Sequence, residues 1–379
     1  MMIAAILKET TLGENRVAAT PKTVKELIKS GLTVRIQSGA GKASFYSDQD
    51  YIDAGAEVIS DISSLYNNVN IVLKVAPATI AEIESFPNGT AYVSLMQTTR
   101  QSQQVQKLTE KNITGFSMHL IPRTSLAQSM DALSSQANIA GYKSVLMGAT
   151  HLPVYMPLLM TAAGTIPPAK VLILGAGVAG LQAIATAKRL GAQVEAFDVR
   201  PEVKEQVESL GAKFVEVASD SDDGVGEGGY AKETSDDYKQ RQQALIKAHI
   251  AKSNLVITTA LIPGRPAPLL IPTDMVNGMK PGSVIMDLAA ENGGNCELTQ
   301  GDEIVNHNGV IIDGTINLPS TMPAHASQLY AKNISTFVTY MMKEGELNLD
   351  LEDEIISGAM FTHEGKITHE PTRESMGNS

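Results

Sequence analysis

The strongest indication of the fold is KVLILGAGVAGLQAIATAKRLGA, residues 170–192. An apolar segment is followed directly by three glycines in the pattern G-x-G-x-x-G and then by an Ala-rich segment of helical length. A strand, a glycine turn and a helix in this order are typical of a dinucleotide-binding βαβ unit. Gly175 would permit the tight turn, Gly177 would let a pyrophosphate approach backbone N–H groups at the helix N-terminus, and Gly180 would let helix and strand pack closely.

The next apolar segment, QVEAFDVR, ends in a carboxylate, Asp198. This residue follows the glycine motif by about 20 positions, where such folds place the acid that binds the adenosine ribose. A 2'-phosphate would meet a like charge there, so the sequence favours NAD over NADP. The neighbouring Arg200 leaves NADP as an alternative, and a glycine turn without any ligand is the other one.

Length and charge limit the classes of protein that fit this sequence. Its 379 residues are enough for two or three domains. The net charge of -11 disfavours general binding to nucleic acid or to an anionic membrane surface. The single cysteine, Cys296, excludes an intramolecular disulfide framework, and the seven histidines lack metal-ligand spacing, so no metal site is predicted. There is neither a G-x-S-x-G elbow nor a G-x-x-x-x-G-K-[ST] loop for acyl or P-loop phosphoryl transfer.

Strand-like and helix-like segments alternate along both halves of the chain. This alternation predicts an α/β protein with two Rossmann-like, doubly wound parallel-sheet domains. We expect the first domain to be discontinuous, comprising 1–135 and 319–379, and the second to comprise 136–318. A connecting helix is predicted over 130–147. The uncharged stretch 144–169 is long enough for a membrane span, but its four prolines argue against one.

One segment, ASDSDDGVGEGGYAKETSDDY at 218–238, interrupts the alternation. It is rich in Gly, Ser and acidic residues, with almost nothing apolar to bury, and is predicted to be a long surface loop. Such loops are either functional or merely tolerated insertions. Tyr230, flanked by glycines at its middle, favours a lid that closes over a flat ligand.

A mixed polar set lies in IPRTSLAQSMDALSSQAN, residues 121–138. Its members, expected close together between the domains, are Arg123, Gln128, Asp131 and Ser134. The simpler interpretation is a helix N-terminus capped by Thr124 or Ser125, with solvated polar groups around it. Two cations, Arg16 and Lys74, are also expected at the cleft where open α/β sheets bind ligands, although a lysine at a strand end is usually only solvated.

Several of these stretches together resemble one family. They are ETTLGENRVAATPKTV, RTSLAQSMDALSSQANIAGY, the glycine motif with FDVR, and ITTALIPGRPAP followed by MKPGSVIMDLAAENGGN. The chain resembles the NAD-binding subunit of proton-translocating NAD(P) transhydrogenases over nearly its whole length. Alanine dehydrogenases share the two-domain plan, the N-terminal motif and the glycine motif, whereas RTSLAQSMD is specific to transhydrogenases.

The resemblance implies roles for individual residues. Arg123, Gln128, Asp131 and Ser134 would surround the nicotinamide ring as the catalytic set. The implied cofactor-binding residues are Gly175, Gly177, Val178, Ala179, Gly180, Asp198, Val199, Arg200, Tyr230, Ala260 and Leu261. Tyr230 would belong to a mobile loop that closes over the nucleotide, and Thr234 differs from the methionine of some relatives.

The alternative is an alanine-type amino-acid dehydrogenase, which needs a general acid or base at the substrate carbon. Alanine dehydrogenases use a His and an Asp for this, and the aligned residues here are Gln97 and Glu291. Direct hydride transfer between two nicotinamides needs only proximity and orientation. The sequence therefore favours the transhydrogenase. A non-catalytic NAD-binding regulator is the third hypothesis, and the nicotinamide-loop residues argue against it.

The resemblance also implies partners. NAD(H) would bind this chain and NADP(H) a partner subunit, with hydride passing directly between them and coupled to proton translocation. This chain is expected to be a homodimer at the cytoplasmic face, held at the membrane peripherally by subunits that carry the membrane helices and the NADP domain. No membrane span of its own and no nucleic-acid partner are expected.

Overall fold

The computed structural model describes residues 2–217, 236–262 and 265–377, except for the side chains of 236–239. The chain divides into two compact units. Unit 1 comprises Met1–Gln136 and Pro319–Ser379, and unit 2 comprises Ala137–Leu318.

Strands are numbered in chain order. They are β1 (Met2–Ile6), β2 (Leu32–Gln37), β3 (Glu57–Ile59), β4 (Ile71–Leu73), β5 (Ala91–Ser94), β6 (Thr114–Ser117), β7 (Leu159–Thr161), β8 (Gly164–Ile166), β9 (Lys170–Leu174), β10 (Gln193–Phe197), β11 (Lys213–Phe214), β12 (Leu255–Thr258), β13 (Val284–Asp287), β14 (Ile304–His307), β15 (Val310–Asp313), β16 (Met342–Lys343), β17 (Glu346–Leu347), β18 (Met360–His363) and β19 (Lys366–Ile367).

The α-helices are numbered in the same way. They are α1 (Pro21–Lys29), α2 (Asp48–Asp53), α3 (Ile62–Leu65), α4 (Ile80–Ser85), α5 (Ser102–Glu110), α6 (Ala132–His151), α7 (Val178–Arg189), α8 (Lys204–Ser209), α9 (Asp236–Ile250), α10 (Thr273–Asn277), α11 (Pro323–Met341), α12 (Glu354–Ala359) and α13 (Glu370–Ser375). The predicted connecting helix is α6, and the division between the units falls within it.

Unit 1 is built on an eight-stranded sheet in the order β19-β18-β6-β5-β4-β1-β2-β3. The six strands from β6 to β3 run parallel, while β18 pairs antiparallel with both β6 and β19. Successive β1 residues pack into different clusters, Ala4 and Ile6 into one and Ala5 and Leu7 into the other. Both faces of the sheet are therefore covered, as a doubly wound fold requires.

Several helices of unit 1 begin at a residue whose side chain accepts from a free backbone N–H group. Thr20 and Thr23 form a reciprocal capping box at α1, and Pro21 takes the first helical position. Thr79 and Glu82 form another at α4. After the chain returns to unit 1, the long helix α11 begins at Pro323, which takes the first helical position.

Unit 2 has a seven-stranded sheet in the order β11-β10-β9-β12-β13-β15-β14. All neighbours are parallel except β14 and β15. Val171 and Ile173 of β9 pack on one face, and Leu172 and Leu174 pack on the other. The predicted α/β fold with two Rossmann-like units, the first discontinuous, is confirmed.

The uncharged stretch 144–169 contains the end of α6 and an antiparallel hairpin, β7 and β8. Large apolar side chains are exposed along it, namely Val154, Tyr155, Leu158, Met160 and Ile166. Among the described residues, no helix combines the length and the apolarity that a membrane crossing requires.

Candidate functional site

The glycine turn of unit 2 has the backbone geometry that its sequence predicts. Gly175 follows β9 with φ +106°, a conformation that favours glycine. A Cβ on Gly180 would lie 1.9 Å from the carbonyl oxygen of Gly175, so only glycine lets α7 approach the turn this closely. Two of the three glycines are thus required by the fold itself.

Gly177 is different, because a Cβ there would meet none of the described atoms within 4 Å. It is the N-cap residue of α7, and Val178 and Ala179 follow in the first helical turn. N–H groups at a helix N-terminus lack intrahelical partners and favour anions, and α7 has 12 residues. The turn combines open space with free donors, which suits a pyrophosphate.

Asp198 lies at the carboxyl end of β10, beside this turn. Its Oδ2 accepts a hydrogen bond from the Ala176 N–H at 2.7 Å. The Arg200 guanidinium donates to both carboxylate oxygens at 3.0 Å, and the Arg200 N–H donates to Oδ1. Burial alone would raise the pKa of Asp198, but these hydrogen bonds outweigh it and hold the pKa below its ordinary value. The carboxylate is thus fixed in its charged form.

The carboxyl end of β12 is next to the glycine turn. Thr259 Oγ1 donates to the Gly175 carbonyl at 2.9 Å, and Ala260 follows it. Four apolar side chains are 41% to 77% exposed at this edge of the sheet, namely Val178, Val199, Leu261 and Ile262. Exposed apolar side chains here could cover the flat face of a base.

The polar segment at 121–138 has a first part with exposed polar side chains and a second part that begins α6. Arg123 and Gln128 are exposed, and neither side chain has a hydrogen bond or ion pair with the described residues. Asp131 directly precedes α6, where its Oδ1 accepts from the Ser134 N–H at 2.9 Å and its Oδ2 from the Ser134 hydroxyl at 2.5 Å. The expectation of Thr124 or Ser125 as the helix cap is wrong, because Asp131 caps α6.

His119 lies near Arg123, and no pattern in the sequence singles it out. Burial, together with the positive charges of Arg100 and Arg123, lowers the pKa of His119. The imidazole is therefore neutral near pH 7. It adds no charge to the segment that follows.

Arg16 and Lys74 are neither solvated nor available as free cations. Lys74 follows β4, is fully buried, and contacts Glu82 at 2.8 Å and Glu9 at 3.5 Å. Arg16 is 6% exposed and pairs with Glu14 at 2.6 Å. The expectation of a solvated strand-end lysine is wrong, because neighbouring acids neutralise it inside the unit.

A cavity of about 630 Å³ opens beside these pairs in unit 1. It is lined by charged residues and by residues with small side chains, namely Lys8, Glu9, Glu14, Arg16, Gly39, Ala40, Lys42 and Ala43. Burial raises the pKa of Glu9 to about 7 against the opposing effect of Lys74. The site at the glycine turn of unit 2, by contrast, is an open sheet edge.

Two sequence-based expectations need separate mention. Of the expected loop at 218–238, residues 218–235 with Tyr230 lie outside the described residues, and 236–238 belong to α9. Within the described part of the chain, no group of three or more His, Cys, Asp or Glu residues could hold a metal ion. Sequence reasoning missed Thr259 and Ile262, since nothing in LVITTALI marks which of its side chains reach the glycine turn or remain exposed.

Family models match both halves of the chain. The alanine dehydrogenase/PNT N-terminal domain matches residues 5–140, and the C-terminal domain of the same family matches 144–370. The chain belongs to the alanine dehydrogenase/PNT family.

Relatives on the transhydrogenase side of this family are the more similar ones. An NAD(P) transhydrogenase alpha-subunit chain of Rhodospirillum rubrum is 45% identical over 376 residues, covering 97% of this chain and 98% of the relative. The crystal structure of transhydrogenase from Sinorhizobium meliloti matches with a TM-score of 0.87 and 44% identity, covering 96% of this chain and 99% of that one. An L-alanine dehydrogenase structure matches with a TM-score of 0.85 but 26% identity, covering 100% and 99%.

The alanine dehydrogenase/PNT fold is thus common to both enzymes, and sequence identity separates them. It places this chain with the NAD(P) transhydrogenase alpha subunits, which confirms the predicted resemblance and the predicted enzyme class. Membership supports an NAD-binding role for this chain, and an alpha subunit implies partner subunits.

Proposed function

We propose that this chain binds NAD(H) at the carboxyl edge of the unit 2 sheet and passes hydride to NADP+ held by a partner subunit. The observation that carries the proposal is the open space at Gly177, above the N-terminus of α7 and beside Asp198. The sheet order reverses between β9 and β12, and ligands of open α/β sheets bind at such a point.

The adenosine half would be held by groups that the fold has already fixed. Backbone N–H groups at Gly177, Val178 and Ala179 would bind the pyrophosphate, and Asp198 would accept from the ribose hydroxyls. The Arg200 guanidinium is bound to Asp198 and so is not free for a 2'-phosphate. This arrangement supports NAD over NADP.

Base contacts would come from apolar side chains at the same edge. Val199 and Leu261 are 77% and 52% exposed beside Asp198 and Ala260. Tyr230 would close over the nucleotide as part of a lid.

The nicotinamide half would be oriented by the segment that precedes α6. Bound NADH would supply the hydride, which carries both electrons of the C–H bond to NADP+, so no acid or base is required at the reacting carbons. Arg123 and Gln128, whose side chains have no hydrogen bond or ion pair with the described residues, would bind the carboxamide. Asp131 and Ser134 bond each other and the start of α6, and would fix the shape of the segment.

The dehydrogenase alternative fits less well. A 2-oxo acid would need cations for its carboxylate, yet Arg16 and Lys74 are paired with Glu14, Glu9 and Glu82. Glu291 is exposed, and its Oε1 accepts from the Asn317 N–H at 2.6 Å. No observation favours this activity over hydride transfer between nucleotides.

The assembly would consist of a homodimer and membrane-bound partners. The exposed apolar side chains of the β7–β8 region, among them Tyr155 and Met160, lie in an uncharged stretch and suit contact with a second copy. Partner subunits would supply the membrane helices and the NADP domain. This assembly would couple hydride transfer to proton translocation. It would also hold the chain peripherally at the cytoplasmic face of the membrane.

A paired assay tests the activity. NADH oxidation is measured first with pyruvate and ammonium, then with an NADP analogue and a separately purified NADP-binding domain. Turnover only in the second mixture supports the proposal. Turnover in the first mixture would establish the dehydrogenase instead.

Two variants test the site itself. NADH should bind far more tightly than NADPH, and Asp198→Asn should reduce that preference. Gln128→Asn should slow hydride transfer much more than it weakens NADH binding, while the exposed neighbour variant Ser125→Ala should change neither. A Gln128→Asn variant that loses only binding would remove the orienting role.

A further inference from the structure

A buried amide holds the backbone at the carboxyl end of β12. Asn295 is fully buried, and its Oδ1 accepts from the Ala260 N–H at 3.0 Å. Its Nδ2 donates to the Ala260 carbonyl at 2.9 Å and to the Pro268 carbonyl at 2.8 Å. One side chain therefore satisfies both backbone groups of Ala260, as a neighbouring strand would do after β12 has ended.

Asn295 is itself anchored by a buried carboxylate. Asp287, 1% exposed at the end of β13, accepts from the Asn295 N–H at 2.8 Å. The same carboxylate accepts four further hydrogen bonds, from Thr258 Oγ1, Ala289 N–H, Cys296 N–H and Thr299 Oγ1. A carboxylate with five donors has little freedom to move, so it fixes Asn295 relative to the sheet.

The turn between these two residues depends on glycine. Gly293 and Gly294 have φ values of +96° and +82°. A Cβ on Gly294 would lie 2.9 Å from Asp287 Oδ2, so the chain passes directly over the carboxylate as it returns toward β12. The run GGN thus places the amide beside Ala260.

We propose that Asn295 is a positioning residue for the nucleotide site. It holds Ala260, and through it the exposed Leu261, in the conformation that receives the adenosine half of NADH, with Asp287 as its anchor. The inference rests on the proposed function, because Ala260 and Leu261 are assigned to the nucleotide there. It adds a residue that touches neither the nucleotide nor the glycine motif.

The test compares two amides of unit 2 on the full chain. Asn295→Ala removes the three hydrogen bonds to Ala260 and Pro268. The control, Asn254→Ala, removes the bond from the Lys170 N–H to Asn254 Oδ1 at 2.9 Å, at the opposite end of the same sheet. The dissociation constant for NADH and the melting temperature are measured for both variants.

We expect Asn295→Ala to raise the NADH dissociation constant about tenfold, as a loss of about 1.4 kcal/mol would do. Hydrogen exchange at the Ala260 amide should become faster in the same variant. Asn254→Ala should leave the dissociation constant within about twofold, whatever its melting temperature. Equal effects of both variants on NADH binding would overturn the positioning role.

A milder variant keeps the test informative if Asn295→Ala does not fold. Thr299→Val is nearly isosteric and removes one donor from Asp287, so it should weaken NADH binding about threefold with the fold intact. Unchanged binding in folded Thr299→Val, with Asp198→Asn still weakening it, would overturn this inference and leave the proposed function standing. No NADH binding by the unmodified chain would instead contradict the proposed function.

Discussion

The two units have the same order of parallel strands but different chemistry where that order reverses. In unit 1 the order is β3-β2-β1-β4-β5-β6, and in unit 2 it is β11-β10-β9-β12-β13-β15. The residues after β1 and β4 in unit 1 contribute the buried pair Glu9 and Lys74. The residues after β9 and β12 in unit 2 contribute a glycine turn and the Thr259 hydroxyl that bonds it.

This difference shows that topology provides a place for a ligand and that local residues decide whether one is received. Charged side chains in unit 1 satisfy each other, so their interactions are already made in the folded chain. Unit 2 leaves helix N–H groups and the space at Gly177 open. Changes at the charged cluster of unit 1 should therefore act mainly on stability, and changes at the open space of the unit 2 turn mainly on nucleotide binding.

The largest effect is expected from Lys74→Met. Removing this cation would leave Glu82 and Glu9 without their positive partner in a buried cluster. Breaking a buried ion pair from one side typically costs about 3–5 kcal/mol, so the free energy of unfolding should fall by that amount. Chemical denaturation is the measurement. Lys8→Met, at an exposed lysine one strand away, should change it by less than about 0.5 kcal/mol.

An unchanged stability of Lys74→Met would contradict the stabilising role of the charged cluster in unit 1. It would mean that the acids around Lys74 do not depend on its charge. The Lys74 ammonium would then be available to pair with a ligand.

Gly180→Ala should have the next largest effect on stability. The new Cβ would lie 1.9 Å from the Gly175 carbonyl oxygen, a backbone atom that cannot move cheaply. Overpacking of this kind costs about 1–3 kcal/mol, and the displaced turn should also lose NADH affinity. Thermal unfolding and NADH titration measure the two losses. A folded, fully binding Gly180→Ala chain would show that α7 can shift without disturbing the turn.

The features of the two units that could be predicted from sequence are those that depend on residues close together along the chain. The glycine turn was predictable because a φ of +106° at Gly175 and the close approach at Gly180 each require glycine, and the motif marks both. The strand segments around β9 and β12 were predictable from their continuous apolar runs. Short or polar strands such as β3 and β6 were not, since their pattern differs little from that of a loop.

The remaining features depend on residues that are distant in sequence. Lys74 looked like a solvated strand end because its burial depends on Glu9, which follows another strand. Asp131 is an exception, because its carboxylate caps α6 through Ser134, three residues later in the chain. Asn295 follows a glycine pair and carries no pattern of its own, because its role arises only where β13 and β12 lie side by side.

Gly177→Ala should separate NADH binding from the stability of unit 2. Its Cβ would meet no atom of the part of the chain that the structure describes, so the free energy of unfolding should change by less than about 1 kcal/mol. The same methyl group would occupy the space that a pyrophosphate needs, and NADH affinity should fall about a hundredfold, which corresponds to about 3 kcal/mol. NADH titration and thermal unfolding of one sample measure both. If Gly177→Ala lost NADH affinity only in proportion to its loss of stability, as is expected of Gly180→Ala, Gly177 would have no separate role in binding.

The smallest expected effect concerns the proton on Glu9. Burial raises the pKa of Glu9 from 4.5 to about 7, so between these values the folded state holds a proton that the unfolded state has released. Unfolding therefore becomes more favourable as pH rises through this window, and this contribution to stability, complete below pH 4.5, is lost as pH passes about 7. In Glu9→Gln the decline in unfolding free energy between about pH 5.5 and 7 should be shallower by about 1–2 kcal/mol. Exposed Glu374→Gln should leave the slope unchanged. A slope that Glu9→Gln does not alter would show that Glu9 is ionised in the folded chain, and that the charged cluster of unit 1 is not already balanced.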